Sequence, residues 1–302
     1  MLSNSTLPHV KKQPLVEVFG YPINNMSATA KKFREEALCP YNNIVAQCTK
    51  NSIDDPLGVC AVFDGDTPAI TCPIRFRENW TIVKDAAEFF FPKGARYRRL
   101  SEIRLKDAAG KSAGNIDHVL VSLDKAGKVI DFGVLEVQGV YISGNVTEPF
   151  KYYMKSPETR QDFDWNGQPS YPSPDYLSSS RKRLAPQLVY KGGILKSWGK
   201  KIAVAVDEPF WATLPKLRTV SSSKADIAWF VYGLELSTKK NQYHLTRKQV
   251  AYTEFDEALL QITKTTAGPI ELFINTLDAK IRGKAPLSDD PDPIVDGQHD
   301  VA

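Results

Sequence analysis

Two carboxylates and an amide, brought together by a hairpin, are the pattern in this chain with the clearest chemistry. The sequence runs Asn115-Ile116-Asp117-His118-Val119-Leu120-Val121, then Asp124-Lys125-Ala126-Gly127-Lys128, then Val129-Ile130-Asp131-Phe132-Gly133-Val134-Leu135-Glu136-Val137-Gln138. Apolar, β-branched runs on either side of a polar turn predict a β-hairpin, with Gly127 free to take positive φ. Strand side chains alternate, so Glu136 and Gln138 share one face, while Leu135 and Val137 turn to the core. Simple pairing about Gly127 sets Asp117 across from Glu136 or close to it. Carboxylates that close repel unless a cation lies between them, and hard oxygen donors suit Mg²⁺. A carboxylate-held Mg²⁺ beside a phosphodiester can generate the attacking hydroxide and neutralise charge on the leaving oxygen. The order Asp-x18-Glu-x-Gln is that of nuclease sites usually written Asp-x(n)-(Glu/Asp)-x-Lys, with Gln138 in place of Lys. A plainer reading also fits, a half-buried hairpin with polar residues on its solvent face.

Cysteine usage supplies a second group. Cys39, Cys48, Cys60 and Cys72 are the four cysteines of the chain. In a reducing compartment they are not expected to form disulfides. Four thiolates make a tetrahedral site for zinc or iron. The intervals lack the tight Cys-x2-Cys of zinc fingers, so four ordinary buried thiols remain an equal reading.

Basic residues supply a third. Lys93, Arg96, Arg98 and Arg99, broken by Tyr97, precede the strand that carries Glu102. Arg181, Lys182, Arg183, Gln187 and Lys191 fall on polar positions of a helical stretch from Ser178 to Trp198, whose Leu188, Gly192 and Leu195 face the sheet. Both sets suit DNA phosphates, or a solvated charged surface. Residues 145–175 read as a long polar loop, its Tyr152, Tyr153 and Trp165 mixed with Lys151, Lys155 and Arg160 as in a DNA-reading loop.

The elements that must position these groups follow from periodicity and breakers. A short apolar segment, Val16–Pro22, ends in a turn and precedes a helix from the cap Ser27 to about Leu38. A hairpin follows, from Gly58–Phe63 to Ala69–Pro73, then a helix over Asn79–Phe91 that Pro92 stops. After the hairpin of Asp117 and Glu136, the helical stretch leads to an apolar strand at Lys201–Val206. Strands at Ala225–Leu236 and Tyr243–Thr253, then helices at Glu254–Thr265 and Ile270–Arg282, complete the chain. No apolar run is long enough to span a membrane and no secretory h-region is visible, so a cytoplasmic protein is expected. The net charge is +4 over 302 residues. The segment from Pro286 carries five Asp and no Lys or Arg, an acidic disordered tail (286–302) that leaves the rest more basic. No Walker loop or Gly-x-Gly-x-x-Gly occurs, and His9, His118, His244 and His299 form no metal-spaced pair.

Taken in order, several segments resemble the NotI type II restriction endonuclease family: Glu17-Val18-Phe19-Gly20, Cys39-Pro40-Tyr41, Gly58-Val59-Cys60-Ala61-Val62, Cys72-Pro73-Ile74-Arg75, Gly133-Val134-Leu135-Glu136-Val137-Gln138, Arg183-x3-Gln187-x2-Tyr190-Lys191 and Trp229-Phe230-Val231. The last 60 or so residues lie outside the likeness. The resemblance implies an α/β (α+β) PD-(D/E)xK core with a mixed central sheet flanked by helices. It implies a four-cysteine region over 1–92, a nuclease core with DNA-reading loops over 93–285, and the tail. Asp117 and Glu136 would hold Mg²⁺, Glu102 would match a further acidic position, and Gln138 the family's variant of Lys. Cys39, Cys48, Cys60 and Cys72 would hold one structural iron, with zinc the alternative. A homodimer cutting double-stranded DNA at a GC-rich palindrome is implied, with a companion DNA methyltransferase in the genome. Loss of the motif Lys keeps open a metal-stabilised DNA-binding protein on a catalytically dead nuclease fold. A repair or transposon-end nuclease on the same core is a third option.

Overall fold

Apolar strands buried on both faces, rather than on one, set the architecture. The structure, a computed structural model, describes residues 13–282 apart from 170 and 266. The leader and the acidic tail expected from residue 286 lie outside the described residues. Two compact units are present, Met1–Thr263 and Lys264–Ala302. In the second, Ile270–Arg282 is a helix with no buried residue.

In the first unit, β1 (Leu15–Val18), β2 (Tyr21–Pro22), β3 (Val59–Asp64) and β4 (Thr67–Ile70) form an antiparallel sheet in the order β2-β1-β3-β4. Helix α1 (Ala28–Glu35) is capped by Ser27, whose Oγ accepts the Ala30 N–H at 3.3 Å. A 3-10 stretch over Pro73–Trp80, broken by non-helical backbone at Glu78 and Asn79, then leads into α2 (Thr81–Phe90). This helix begins two residues later than periodicity suggests, because Asn79 and Trp80 take left-handed φ of 52° and 53°.

The main sheet contains β5 (Tyr97–Lys106), β6 (Ser112–Leu123) and β7 (Val129–Gln138). After β8 (Tyr141–Ser143) and β9 (Ser173–Asp175), which pair with each other, come β10 (Ile202–Asp207), β11 (Ile227–Ser237) and β12 (Gln242–Thr253). The order is β12-β11-β10-β7-β6-β5. Strand β10 runs parallel to both β7 and β11, and the other pairs are antiparallel, so the sheet is mixed. A parallel return needs a crossover, and residues 176–197 supply it as a continuous helical run. Two of its turns are π-helical, Ser179–Leu184 and Leu188–Gly192. Leu120, Leu135, Val137, Ala203, Ala205 and Phe230 pack with α2 on one face. Val119, Val121, Val134, Val204 and Trp229 pack with Leu184, Leu188, Leu195 and Phe255 on the other. Strand β10 is buried throughout and β7 from Gly133 on, Glu136 and Gln138 included; the plainer reading, a half-buried hairpin with these polar residues on its solvent face, does not hold for Glu136 and Gln138.

Residues 145–175 are not the loop expected. They contain α3 (Thr147–Lys155) as well as β9. Asn145 Oδ1 accepts the N–H groups of Thr147 and Glu148, and Phe150 and Tyr153 are buried against the N-terminal sheet. The apolar face spans barely two turns, too short for its period to stand out among the polar residues.

Candidate active site

The site forms where the regular ladder of the sheet breaks. Strands β6 and β7 pair from Leu123–Val129 to His118–Leu135, around a tight turn in which Gly127 has φ 84°. Asp117 and Glu136 come next along the two strands. On its other side β6 pairs with β5, and the pairs Ser101–His118 and Ile103–Ile116 leave Glu102 and Asp117 unpaired between them. Glu102 there has φ 54°, a left-handed kink inside a strand. Side-chain alternation slips by one at the same point. Val119 and Val121 belong to the core on the crossover-helix side, and beyond the break Ile116 and Leu105 do as well. Strict alternation would have put Ile116 with Leu120, on the α2 side.

Released from the ladder, Asp117 turns its side chain across to β7. Its Oδ2 accepts the Val137 N–H at 2.8 Å, replacing a backbone carbonyl. The carboxylates of Asp117 and Glu136 then interact directly. Burial pushes the Glu136 carboxyl up to about 8; the charge of Asp117 adds to this, and Lys191 offsets only part of it. Lys191 Nζ donates to both Glu136 oxygens at 2.9 Å, with both side chains buried. The ion pair and the upward shift pull in opposite directions. Burial and the second carboxylate are the larger causes.

Gln138 lies on the same face as Glu136 and is buried, but its amide folds back on its own chain. Its Nε2 donates to the Gly139 carbonyl at 2.8 Å, and its Oε1 has no hydrogen-bond partner. Glu102 is exposed. Among the described residues, no three His, Cys, Asp or Glu side chains stand together as a ready-made ion-holding group. Asp117 and Glu136 are therefore a pair, with Glu102 beside the same break in the ladder.

The basic residues separate. Arg96 and Arg98 are exposed at the start of β5. Arg99 instead lies with its guanidinium carbon 3.9 Å from the centre of the Trp80 ring and contacts Ser101. Arg183 sits over Tyr141 at 5.1 Å. Gln187 is half-buried and lines a small cavity with Glu136, Leu188 and Lys191. Lys191, expected on the polar side of its helix, is the clear correction, because it is buried and committed to Glu136. The signal was present in the sequence. Lys191 falls between Leu188, Gly192 and Leu195, the positions that face the sheet, so a charge there needed a buried partner.

The four cysteines are free and gather at one corner of the N-terminal sheet. Antiparallel contact between Leu38 and Gln47 sets Cys39 across from Ala46 and Cys48 across from Ala37, each cysteine N–H donating to that alanine carbonyl at 2.8 Å, and the Cys72 N–H donates to the Cys60 carbonyl at 3.2 Å. Cys48, Cys60 and Cys72 are buried. Burial pushes the Cys39 thiol up to about 11, and Cys72 and Cys48 add to it. Burial likewise raises Cys48 and Cys60, with Cys72 adding to each. Among the described residues these cysteines do not stand as a ready-made metal-holding group either.

Among curated proteins none matches this chain. The family model described as restriction endonuclease NotI matches residues 17–245. That span runs from β1 into β12, and it takes in all four cysteines, the broken ladder and the crossover helix. The chain belongs to the restriction endonuclease NotI family.

Proposed function

We propose that this protein is a type II, site-specific endonuclease that hydrolyses double-stranded DNA with Mg²⁺. The observation that carries the reading is the carboxylate pair of half-buried Asp117 and buried Glu136. It lies inside the segment matched by the family. Asp117 and Glu136 would hold the ion, with Glu102 as a further ligand beside the break in β5. When bound, Mg²⁺ activates a water and neutralises charge developing on the phosphate. Asp117 is held in place by the Val137 N–H, and Gln138 would have to leave its hydrogen bond to Gly139 to orient a water or a phosphate oxygen. Arg96 and Arg98 are exposed for the DNA backbone. A palindromic GC-rich site is read by a homodimer, since two-fold DNA asks for a two-fold protein. A companion methyltransferase then protects the host genome.

The four-cysteine corner is proposed to hold one structural iron, or zinc, away from the cleavage site. A second reading is a DNA-binding protein on a dead nuclease fold. The engagement of Gln138 with Gly139, rather than with the carboxylates, favours it. The variants Asp117→Ala and Glu136→Ala test the main reading. Each should lose cleavage yet retain DNA in a gel-shift assay with Ca²⁺, because removing a carboxylate beside phosphates does not weaken binding. Full cleavage by either variant would remove this site.

A further inference from the structure

Where nuclease sites of this pattern carry a cation two residues after Glu, this chain has Gln138, and an amide neither titrates nor carries charge. An ammonium nevertheless reaches the site from elsewhere. Lys191 comes from the crossover helix, 55 residues along the chain from Glu136, and bonds both of its oxygens. The two side chains are 9% and 7% exposed. Burying an ammonium on a sheet-facing helical position costs several kcal/mol before its partner is counted, so this is no solvated surface lysine. Its path is also kept clear. At Gly114 in β6, where φ is 108°, an added Cβ would stand 3.3 Å from Lys191 Cε. Gln138, meanwhile, makes its hydrogen bond to Gly139 instead.

We propose that Lys191 supplies the active-site cation that Gln138 cannot, delivered to Glu136 from the crossover helix instead of from β7. The proposal rests on the nuclease reading above. Two of the ammonium's three N–H donors serve Glu136, which leaves the third for the attacking water or a phosphate oxygen. A divalent ion arriving at Asp117 and Glu136 meets this charge and must share Glu136 with it.

The test uses the full-length protein as wild type, Lys191→Met, Lys191→Met/Gln138→Lys and Asp117→Ala. Three quantities are read: single-turnover cleavage at saturating Mg²⁺, DNA affinity in Ca²⁺, and Mn²⁺ affinity of the DNA-free protein by electron paramagnetic resonance. Lys191→Met should cleave at least about 10²-fold more slowly, while DNA affinity stays within about threefold. Its Mn²⁺ affinity should rise about tenfold, because the competing ammonium is gone. The double variant should recover about tenfold or more over Lys191→Met, since the cation returns from the motif position. Cleavage by Lys191→Met at the wild-type rate, unchanged Mn²⁺ affinity, no recovery in the double variant, or loss of DNA affinity in step with cleavage would each overturn the proposal. If Lys191→Met does not fold, Lys191→Arg carries the test: retained charge should keep Mn²⁺ affinity near wild type, and a rise equal to that expected of Met would refute it. Wild-type protein that leaves DNA intact defeats the nuclease reading, and the Mn²⁺ comparison still decides the placement of Lys191.

Discussion

Asp117 and Glu136 illustrate how two residues can be legible in a sequence while their environment is not. Period-2 alternation and the turn at Gly127 are local, so the hairpin and the shared face of Glu136 and Gln138 could be read directly. The phase slip at Asp117 could not, because it depends on Glu102 in a different strand taking φ 54°. The partner of Glu136 arrives from a distant helix, and only its odd place on an apolar face hinted at it. The Arg75 cluster is similarly long-range. Arg75 donates to Glu17 at 2.7 Å and to Glu78 at 2.6 Å, and Glu78 also accepts the Leu245 N–H at 2.7 Å. Burial raises the Glu78 carboxyl, but Arg75 and these hydrogen bonds outweigh it and hold it below the usual range. A carboxylate depressed in the folded state contributes stability that is present above its unfolded value, near 4.5, and lost as pH falls through the folded value. Glu78→Gln should therefore cost about 2–3 kcal/mol at pH 7 in urea unfolding. The gap should close in acid. A cost that is constant between pH 7 and pH 3 would contradict this assignment.

At the level of elements, the strands read best where they are most buried. β7, β10 and β11 are runs of Val, Ile, Leu and aromatic residues, which only a doubly covered sheet accommodates. β5 is an edge strand with Arg98, Arg99 and Arg104 along it. Its first residues therefore read as a charged connection and not as part of the ladder. The helix in 145–175 was hidden by its brevity, and the π-helical turns around Lys191 lie beyond what a period of 3.6 can show. One close approach was readable only in outline. Gly133 lies under α2, and a Cβ there would stand 2.4 Å from the Phe90 ring. Gly133→Ala should thus destabilise by about 1–3 kcal/mol through overpacking. Pairing it with Phe90→Leu should give less than the sum of the two single costs, since the smaller side chain relieves the contact. Strict additivity in thermal unfolding would show that the ring and the strand do not press on each other.

The whole molecule joins two sites with different demands for cations. The N-terminal region holds four thiols, of which burial raises Cys39, Cys48 and Cys60, and the main sheet holds Asp117 and Glu136 with the Lys191 ammonium on Glu136. On the reading proposed here, metal at the first would be a folding matter and metal at the second a catalytic one. Purified protein should contain about one iron or zinc per chain, as four thiolates fill one tetrahedral site. Stripping that metal with a chelator, or making Cys60→Ser, should lower the melting temperature and the soluble yield. Unchanged metal content and melting temperature in Cys60→Ser would exclude the four-cysteine site. Neither treatment should mimic the removal of Mg²⁺, which is expected to leave the fold intact and to stop cleavage. The most direct test of the central claim is digestion of long, unmethylated genomic DNA by the wild-type protein, with Mg²⁺ and without it. Discrete fragments that appear only with Mg²⁺, and whose ends share one palindromic sequence, are the predicted result. Intact DNA in both lanes, from protein that still retards the same DNA on a gel, would contradict it.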